Sequence, residues 1–198
     1  KMFHQFTHDR NEKPKYWLDE AEVRNILLSS RKRQVEQFAK KQKLEIDNDI
    51  ELKLDYLSYR LAFRDVARNT DERTVIVTVL PPKRFCPHTV SLEQVYTVGA
   101  VNGVLEPNFS SLASETRLFL CSVMNSFVVD YWLRMSVTAH VSFFFVYNLP
   151  VPRLTAKDPR FTPIVSRAAR LICTAPEFDD LAQAVGLKSH HDGAPEFA

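Results

Sequence analysis

The stretch Ser114–Pro152 decides the fold that this sequence predicts, and it reads SETRLFLCSVMNSFVVDYWLRMSV, then TAHVSFFFVYN, then LPVP. Apolar residues lie around almost the whole circumference of its first part, a pattern that is typical of a buried helix. Polar residues interrupt that part before about 18 clean apolar residues, the length of a membrane span, accumulate; they are Arg117, Asn125, Asp130 and Arg134. The sequence therefore predicts one buried helix around which the rest of the chain packs.

A turn, a strand and a proline-fixed exit are predicted after this helix. Thr138–His140 is polar, and the aromatic run Val141–Tyr147 is rich in residues that favour strands. Pro150 and Pro152 then end regular structure, because proline lacks the backbone donor and restricts the residue before it. His140 lies at the hinge, where it either satisfies its hydrogen bonds within the turn or contacts a ligand or DNA.

Length and composition indicate an ordinary globular protein. A chain of 198 residues needs no covalent staples, since it buries roughly 70% of its unfolded surface, and the net charge of +2 is too small to argue anything alone. Cys86, Cys121 and Cys173 are dispersed and lack metal-ligand spacing, which favours reduced thiols and a cytoplasmic location. No signal peptide and no membrane partner are predicted. Because the chain starts at Lys1 rather than at a methionine, we interpret it as a piece of a longer protein.

Catalytic chemistry is sparse in the sequence. The glycines form neither a dinucleotide-binding loop nor a P-loop, so no cofactor and no nucleotide-dependent catalysis are predicted for this chain. Asp47, Glu51 and Lys53 loosely resemble the triplet of a metal-dependent nuclease, although a surface loop explains them more simply. His190–Asp192 offers two imidazoles and a carboxylate, and a frayed tail explains these more simply than a metal site.

The N-terminal part begins with a polar, basic stretch, residues 1–16, that predicts a connecting segment. Asp19 and Glu22 have the spacing of a helix N-cap and its reciprocal partner, so a helix is predicted to begin at Asp19. Its predicted apolar face consists of Val23, Ile26 and Leu27.

Charge changes sign in the next segment. Residues 31–43 are basic and residues 45–55 are acidic. The two runs indicate either a solvated helix followed by a solvated loop, or a basic strip that follows a polyanion backbone.

Two β-rich runs, Tyr59–Arg68 and Arg73–Leu80, predict a hairpin across the turn-forming cluster Asn69–Glu72. On the first strand, Tyr59, Leu61 and Phe63 share one face and Arg60 and Arg64 share the other. The pairing would place Arg60, Arg64, Arg68 and Arg73 on or beside one ribbon. Guanidinium groups match phosphates and the O6/N7 edge of guanine, so a DNA-binding surface is one interpretation. The other is ordinary exposed strand arginines, some of them paired with Asp65, Asp71 and Glu72.

Shorter elements complete the prediction. Residues 95–104 indicate a strand region with a tight turn at Asn102–Gly103. Residues 161–173 predict a helix with Pro163 in its first turn, and residues 176–186 predict a second, short helix.

Separate blocks of the chain resemble a known family. KMFHQFTH at Lys1–His8 is similar to the segment that follows the methyltransferase domain in single-chain type IIG and type ISP restriction–modification enzymes. RDVARNTDERT at Arg64–Thr74 resembles a characteristic stretch of the same enzymes, followed by a strand and Leu-Pro-Pro. The remaining matches are NSFVVDYWLR at Asn125–Arg134, TAHVSFF at Thr138–Phe144, LPVP at Leu149–Pro152 and RAARL at Arg167–Leu171.

The resemblance implies a target recognition domain, the part that reads the DNA sequence to be methylated or cut, similar to the recognition domains of type I specificity subunits. It implies a parent enzyme that transfers a methyl group from S-adenosylmethionine to adenine N6 after flipping that base out of the duplex. The catalytic Asn-Pro-Pro-aromatic signature is not in this sequence, so catalysis, cofactor and any nuclease centre are expected upstream of Lys1.

The sequence as a whole predicts an α/β (α+β) fold: a small twisted, mostly antiparallel sheet packed around one buried helix, with flanking N- and C-terminal helices. We divide it into a connecting segment (1–16) from an upstream methyltransferase domain, a DNA target recognition domain (17–152), supporting helices (153–187) and a loose tail (188–198). The expected partner is double-stranded DNA, and the rivals are a protein-interaction scaffold and the nuclease described above. The predicted DNA-binding residues are Arg60, Arg64, Arg68, Asn69, Thr70, Arg73, Lys83, Arg84, Arg134, Thr138 and His140.

Overall fold

The protein has an α+β fold with two small antiparallel sheets, as the sequence predicts. The computed structural model describes residues 5–6, 17–47, 49–110 and 112–193. The helices of this described part are α1 (Glu20–Gln42), α2 (Ser114–Met124), α3 (Phe127–Arg134), α4 (Phe143–Tyr147), α5 (Phe161–Ile172) and α6 (Asp179–Ala184), and the strands are β1 (Arg60–Arg64), β2 (Val77–Leu80), β3 (Val90–Leu92), β4 (Tyr96–Val101) and β5 (Val104–Ser110). Single 3₁₀ turns occur at Asp55–Leu57, Pro176–Phe178 and His190–Asp192.

The predicted hairpin is confirmed. β1 pairs antiparallel with β2, with Arg60 opposite Leu80 and Phe63 opposite Val77, and β3 pairs with the other edge of β1. Leu61 and Phe63 face the main core beneath α2 and α5, whereas Ala62 faces a smaller cluster on the opposite side of the sheet. All four residues of β2 are buried, as expected for a strand that is covered on both faces.

The single buried helix of the prediction is instead two helices. α2 ends at Met124, with Asn125 as its C-cap, and Ser126 caps α3 by accepting a hydrogen bond from Val129 N at 3.3 Å. The chain changes direction here, and the Asn125 side chain bonds both the N–H and the carbonyl of Val77. The second half is also not buried all round, since Phe127 is 81% exposed.

The predicted strand at Val141–Tyr147 is wrong, because this run forms the short helix α4. Val141 N donates to Asp65 O at 2.7 Å, and His140 pairs with Val66 in an isolated bridge, so extended structure stops after one contact. Ser142 O then accepts from Phe145 N and Val146 N, which starts a helical turn. Periodicity does not separate a buried strand from a short helix in an apolar run of this length.

α1 begins as predicted but buries a different face. Asp19 caps it by accepting a hydrogen bond from Glu22 N at 2.8 Å. The expected apolar face is open, with Ile26 60% exposed. The helix instead buries Arg31 and, four and eight residues on, Val35 and Ala39, which pack beneath the β4–β5 hairpin. That hairpin turns at Asn102–Gly103, as predicted.

The C-terminal helices are confirmed, and the tail is more ordered than predicted. α5 presents Val165, Ala168 and Ile172 to the main core. Within the predicted loose tail, His190 N donates to Asp179 Oδ1 at 2.8 Å and so fixes a 3₁₀ turn against α6. Residues 194–198 lie outside the described part, as does the connecting segment 1–16 apart from Gln5 and Phe6. None of the described helices is long and apolar enough to cross a membrane.

Candidate nucleic-acid interface

The predicted DNA-binding residues lie at two opposite ends of the β1–β2 ribbon. Because the strands are antiparallel with Arg60 opposite Leu80, one end carries Arg60 together with Lys83 and Arg84, which follow β2. The other end is the connection between β1 and β2, and α3 and the 138–140 hinge lie against it. The residues gathered at this second end are Arg64, Arg68, Asn69, Thr70, Arg73, Arg134, Thr138 and His140.

Asp130 of α3 anchors the return of this connection into β2. Its Oδ1 accepts hydrogen bonds from Thr74 N at 2.8 Å and Val75 N at 3.0 Å, in a buried setting. Its Oδ2 lies 3.1 Å from Arg134 Nη2. Arg134 in turn donates to the backbone carbonyls of Asn69 at 2.8 Å and Glu72 at 2.9 Å. One carboxylate and one guanidinium of α3 therefore fix both sides of the turn.

Asn125 and Gln5 support β2 from the α2 end. Asn125 accepts from Val77 N at 3.0 Å and donates to Val77 O at 2.8 Å. Gln5 donates to the carbonyls of Val75 and Asn125 at 3.3 and 3.1 Å. The amide oxygen of Gln5 accepts from Arg73 Nε at 3.0 Å and Nη2 at 2.9 Å. These side chains join three separate blocks of the sequence in one polar network.

Three of the four hairpin arginines are, like Arg134, used inside the protein. Arg73 also donates to Asn125 O at 2.9 Å, and its guanidinium lies 4.2 Å from the ring centroid of Phe127. Arg64 pairs with Asp71 at 2.9 Å and donates to Arg73 O. Arg60 is only 5% exposed and donates to the carbonyl of Arg84, so it has almost no surface to offer DNA. The guanidinium groups of Arg60, Arg64 and Arg73 therefore do not form one open face: Arg64 has one of the acidic partners that the sequence offered, and residues distant in sequence cover the other two.

The side chains of Arg68, Asn69 and Thr70 are exposed at the apex of the connection, and we call these three residues the loop tip. Arg68 N donates to Asp71 Oδ2 and Asp71 N to Arg68 O, both at 3.2 Å, so the backbone of the loop tip is held. Within the described residues, the Arg68 guanidinium makes no hydrogen bond and no ion pair. The backbone of the loop tip is thus held in place, while its polar side chains make no hydrogen bond or ion pair to the described residues.

The hinge lies beside the connection that carries the loop tip. His140 is 62% exposed, and its Nδ1 lies 3.1 Å from Asp65 Oδ2. Ala67 N donates to Ala139 O at 3.0 Å, which joins the hinge to the start of the connection. Thr138 is exposed next to them. Arginine, asparagine, threonine and histidine side chains carry the donors and acceptors that match base edges in the DNA grooves.

Charge at this end of the ribbon is balanced rather than strongly positive. The arginines are Arg64, Arg68, Arg73 and Arg134, and the acids are Asp65, Asp71, Glu72 and Asp130. Of these arginines, Arg68 has no acidic neighbour within salt-bridge distance in the described part. The arrangement suits directed hydrogen bonding better than attraction to a polyanion through bulk charge.

At the other end of the ribbon, Lys83 and Arg84 are exposed on the segment after β2. Arg84 pairs with Glu177 at 3.2 Å, while Lys83 has a left-handed backbone (φ 62°) and donates its amide to Tyr56 O at 2.7 Å. The length of β1, which rises about 3.3 Å per residue, separates Lys83 and Arg84 from the loop tip. They form a separate patch.

The two groups of residues considered as metal sites, Asp47–Lys53 and His190–Asp192, make ordinary structural contacts. Asn108 of β5 accepts from Lys53 N at 2.8 Å and donates to Glu51 O at 2.7 Å, which fixes the backbone of the acidic segment to the hairpin. His190 Nδ1 lies 2.8 Å from Asp179 Oδ1, and hydrogen bonds from His190 lower the pKa of Asp179. Among the described residues there is no group of three or more His, Cys, Asp or Glu that could hold a metal ion.

The four glycines, all in the described part of the chain, do not form a glycine-rich loop of the kind that approaches S-adenosylmethionine. Gly99 and Gly103 belong to the β4–β5 hairpin, Gly186 follows α6, and Gly193 follows the last 3₁₀ turn. None of the four lies between a strand and the start of a helix, where a cofactor loop approaches its ligand closely. We therefore derive no chemical step through this cofactor.

Asn125, Asp130 and Gln5 organise the site but were not predicted to belong to it. The sequence does carry a signal for two of them, because Asn125 and Asp130 interrupt an otherwise apolar stretch and a buried polar residue requires partners. Gln5 carries no such signal. Searches among protein-family models, curated proteins and solved structures find no match to this chain.

Proposed function

We propose that this protein binds double-stranded DNA in a sequence-specific manner, as the target recognition domain of a restriction–modification methyltransferase. The loop tip, with Thr138 and His140 beside it, contacts the bases in this proposal. The observation that carries it is the convergence of the sequence blocks that resemble the family: Gln5, Arg64–Thr74 and Asn125–Arg134 meet in one polar network that holds the loop tip with its side chains free.

A fixed loop with free side chains suits base readout. A loop that is already ordered loses little conformational entropy on binding, so its hydrogen bonds contribute to affinity rather than to ordering. Arginine bonds guanine O6 and N7, asparagine bonds adenine N6 and N7, and threonine contacts the thymine methyl group. The loop tip carries one of each, in the order Arg68, Asn69, Thr70.

In this proposal Arg64, Arg73 and Arg134 support the loop rather than contact DNA, and Arg60 is buried at the other end of the ribbon. Charge reversal of Arg60 or Arg64 would disrupt internal contacts and would not report on DNA binding. The methyl transfer, the S-adenosylmethionine and any cleavage belong to an upstream domain of the same protein. The cytoplasm is the proposed location, because the DNA partner of a bacterial enzyme lies there.

Selection from a random pool of DNA duplexes tests the proposal. The unchanged chain should enrich one short sequence. The double variant Arg68→Ala/Asn69→Ala should enrich a sequence that is relaxed at one or two positions or none at all, since each bidentate base contact contributes about 1–3 kcal/mol of discrimination.

The matched control is Arg24→Ala/Asn25→Ala, which removes an adjacent, exposed Arg-Asn pair from α1. It should enrich the same sequence as the unchanged chain. Failure of the unchanged chain to enrich any sequence, or an equal effect of both double variants, would count against the proposal.

An interaction scaffold is the second candidate, favoured by the outer face of α3. Phe127, Val128, Tyr131 and Met135 are 81%, 72%, 67% and 72% exposed. Phe127, Tyr131 and Met135 recur every four residues and form one apolar stripe, and large exposed apolar patches commonly mark interfaces. Hydroxyl-radical footprinting of Tyr131 and Met135 in this chain and in the full-length protein tests it: protection in the full-length protein supports a scaffold, and equal reactivity contradicts it.

A further inference from the structure

A cavity of about 510 Å³ lies between the first half of α1 and the three-stranded sheet. Its apolar wall includes Val23 and Leu27 of α1, Leu92 of β3, and Phe85. This size and this mostly apolar lining are those of small-molecule sites, which need only a few polar groups to orient a ligand. The cavity is at the Arg60 end of the β1–β2 ribbon, away from the loop tip, so it has no role in the proposed DNA contact.

Two buried arginines line this cavity without a carboxylate in direct contact. Arg31 is 7% exposed and Arg60 is 5% exposed. Arg31 donates to the neutral oxygens of Gln34 and Pro107, and Arg60 donates to the carbonyl of Arg84. In each case the Nε–H is buried without a hydrogen-bond partner in the described part of the chain. Burying a guanidinium group without a carboxylate in hydrogen-bond contact is costly, so both groups favour an anion.

The two acids that line the same cavity are engaged by other groups. Asp55 Oδ1 accepts from Tyr96 N at 2.9 Å. Glu93 holds Arg117 with two bonds of 2.6 and 2.8 Å and also accepts from Leu61 N at 2.8 Å. Arg117 is itself buried, so it takes up the charge of Glu93. The lining therefore carries three cationic side chains, Arg31, Lys53 and Arg60, against Asp55 and the already paired Glu93.

We propose that this cavity binds a small organic anion, with its oxyanion held by Arg31 and Arg60 and its apolar body against Val23, Leu27 and Phe85. A carboxylate, phosphate or sulfonate accepts from a guanidinium in charge-assisted hydrogen bonds, which are roughly twice as strong as neutral ones. The apolar wall supplies affinity for the rest of the ligand. The site goes beyond DNA recognition and gives the protein a second binding function.

The probe for this site is 1-anilinonaphthalene-8-sulfonate, which combines an apolar body with one sulfonate. Its fluorescence should show saturable binding to one site per chain. N-phenyl-1-naphthylamine, which has the same ring system and no sulfonate, should bind at least about tenfold more weakly. The variants Arg31→Gln and Arg60→Gln should each weaken binding of the sulfonate by about tenfold or more, as expected for the loss of a charge-assisted hydrogen bond.

Arg24→Gln and Arg33→Gln are the matched controls, since both arginines are exposed on α1 and neither lines the cavity. These two variants should bind the sulfonate as the unchanged chain does. Equal binding by all four variants would overturn the proposal.

A second measurement uses the unchanged protein and does not depend on any variant folding. Cys86 lines the cavity and is partly exposed, whereas Cys121 and Cys173 are buried with 0% exposure. Alkylation of Cys86 by N-ethylmaleimide should slow about tenfold when the probe is present at ten times its dissociation constant. If the probe binds but leaves Cys86 as reactive as before, it occupies another surface, such as the α3 stripe, and the proposal fails. Protection of Cys86 by a DNA duplex but not by the probe would also overturn it, because the ligand class would be wrong.

Discussion

At the scale of single residues, buried polar side chains stabilise the fold of this protein more than its exposed charges do. Asp130 is 5% exposed and holds two backbone amides of the chain that enters β2, as well as Arg134. Asp130 Oδ2, the oxygen that pairs with Arg134, also lies 3.8 Å from Arg73 Nη1. Removing it would leave buried donors unsatisfied, which is more expensive than the loss of the hydrogen bonds themselves.

Asp130→Ala should therefore lower the free energy of unfolding by about 3–5 kcal/mol, the usual effect of breaking a buried charged pair from one side. Asp130→Asn should cost less, because the amide oxygen still accepts from Thr74 N and Val75 N while the charge is gone. The exposed Asp180→Ala is the control and should cost less than about 1 kcal/mol. Urea unfolding of the three variants checks this, and equal values for Asp130→Ala and Asp180→Ala would refute the anchoring role of Asp130.

At the scale of elements, the features that depend on neighbouring residues could be predicted from the sequence. The features that depend on contacts between distant parts of the chain could not. The cap at Asp19, the β1–β2 pairing and the turn at Asn102–Gly103 each depend on a few neighbouring residues, and all are confirmed. The buried partner of Asn125 is Val77, which is distant in sequence.

The same limit applies to the candidate site. The turn-forming residues Asn69–Glu72 indicated where the loop tip lies. The sequence could not predict which arginines keep a free guanidinium group. Arg60 donates to a backbone carbonyl in the segment that follows β2, and Arg73 donates to Gln5 and to the carbonyl of Asn125. Those partners become neighbours only in the folded chain. The burial of Arg31 in place of an apolar residue of α1 has the same cause.

The β4–β5 turn gives a prediction at this scale. Asn102 and Gly103 both have positive φ, 52° and 78°, as a type I′ turn requires. Gly103→Ala should destabilise the protein by about 1–2 kcal/mol, because a Cβ is strained in the left-handed region. Gly99→Ala in β4 is the control: Gly99 has no positive φ and nothing within 4 Å of a new Cβ, so stability should change by less than about 1 kcal/mol. A larger loss for Gly99→Ala than for Gly103→Ala in thermal unfolding would contradict this turn.

At the scale of the whole molecule, the apolar core is divided unequally. The main cluster joins the β1–β2 ribbon to α2, α3, α5 and α6, and it includes Val77, Leu118 and Ile172. A smaller cluster joins the second half of α1 to the β4–β5 hairpin through Val35 and Leu105. The first half of α1 lies over the cavity and buries little apolar surface.

Amide hydrogen exchange should therefore show three levels of protection. Amides of β2, α2 and α5 should exchange only through global unfolding, and those of Val35–Ala39 should open at lower cost. Amides of Ile26–Ser30 should exchange fastest among the three groups, because the cavity leaves that part of α1 without a packed partner. Uniform protection along α1 would show that its first half is packed as firmly as its second.

Anisotropy titration of the enriched duplex with the unchanged chain and with Arg68→Ala, at two salt concentrations, tests the central claim most directly. Arg68→Ala should leave the free energy of unfolding within about 0.5 kcal/mol, since the side chain is exposed. It should weaken binding by about 1–3 kcal/mol, with an unchanged salt slope if Arg68 reads a base and with a slope smaller by about 0.9 if it contacts a phosphate. Equal affinity of Arg68→Ala and the unchanged chain, with Arg24→Ala as the control, would contradict recognition by the loop tip.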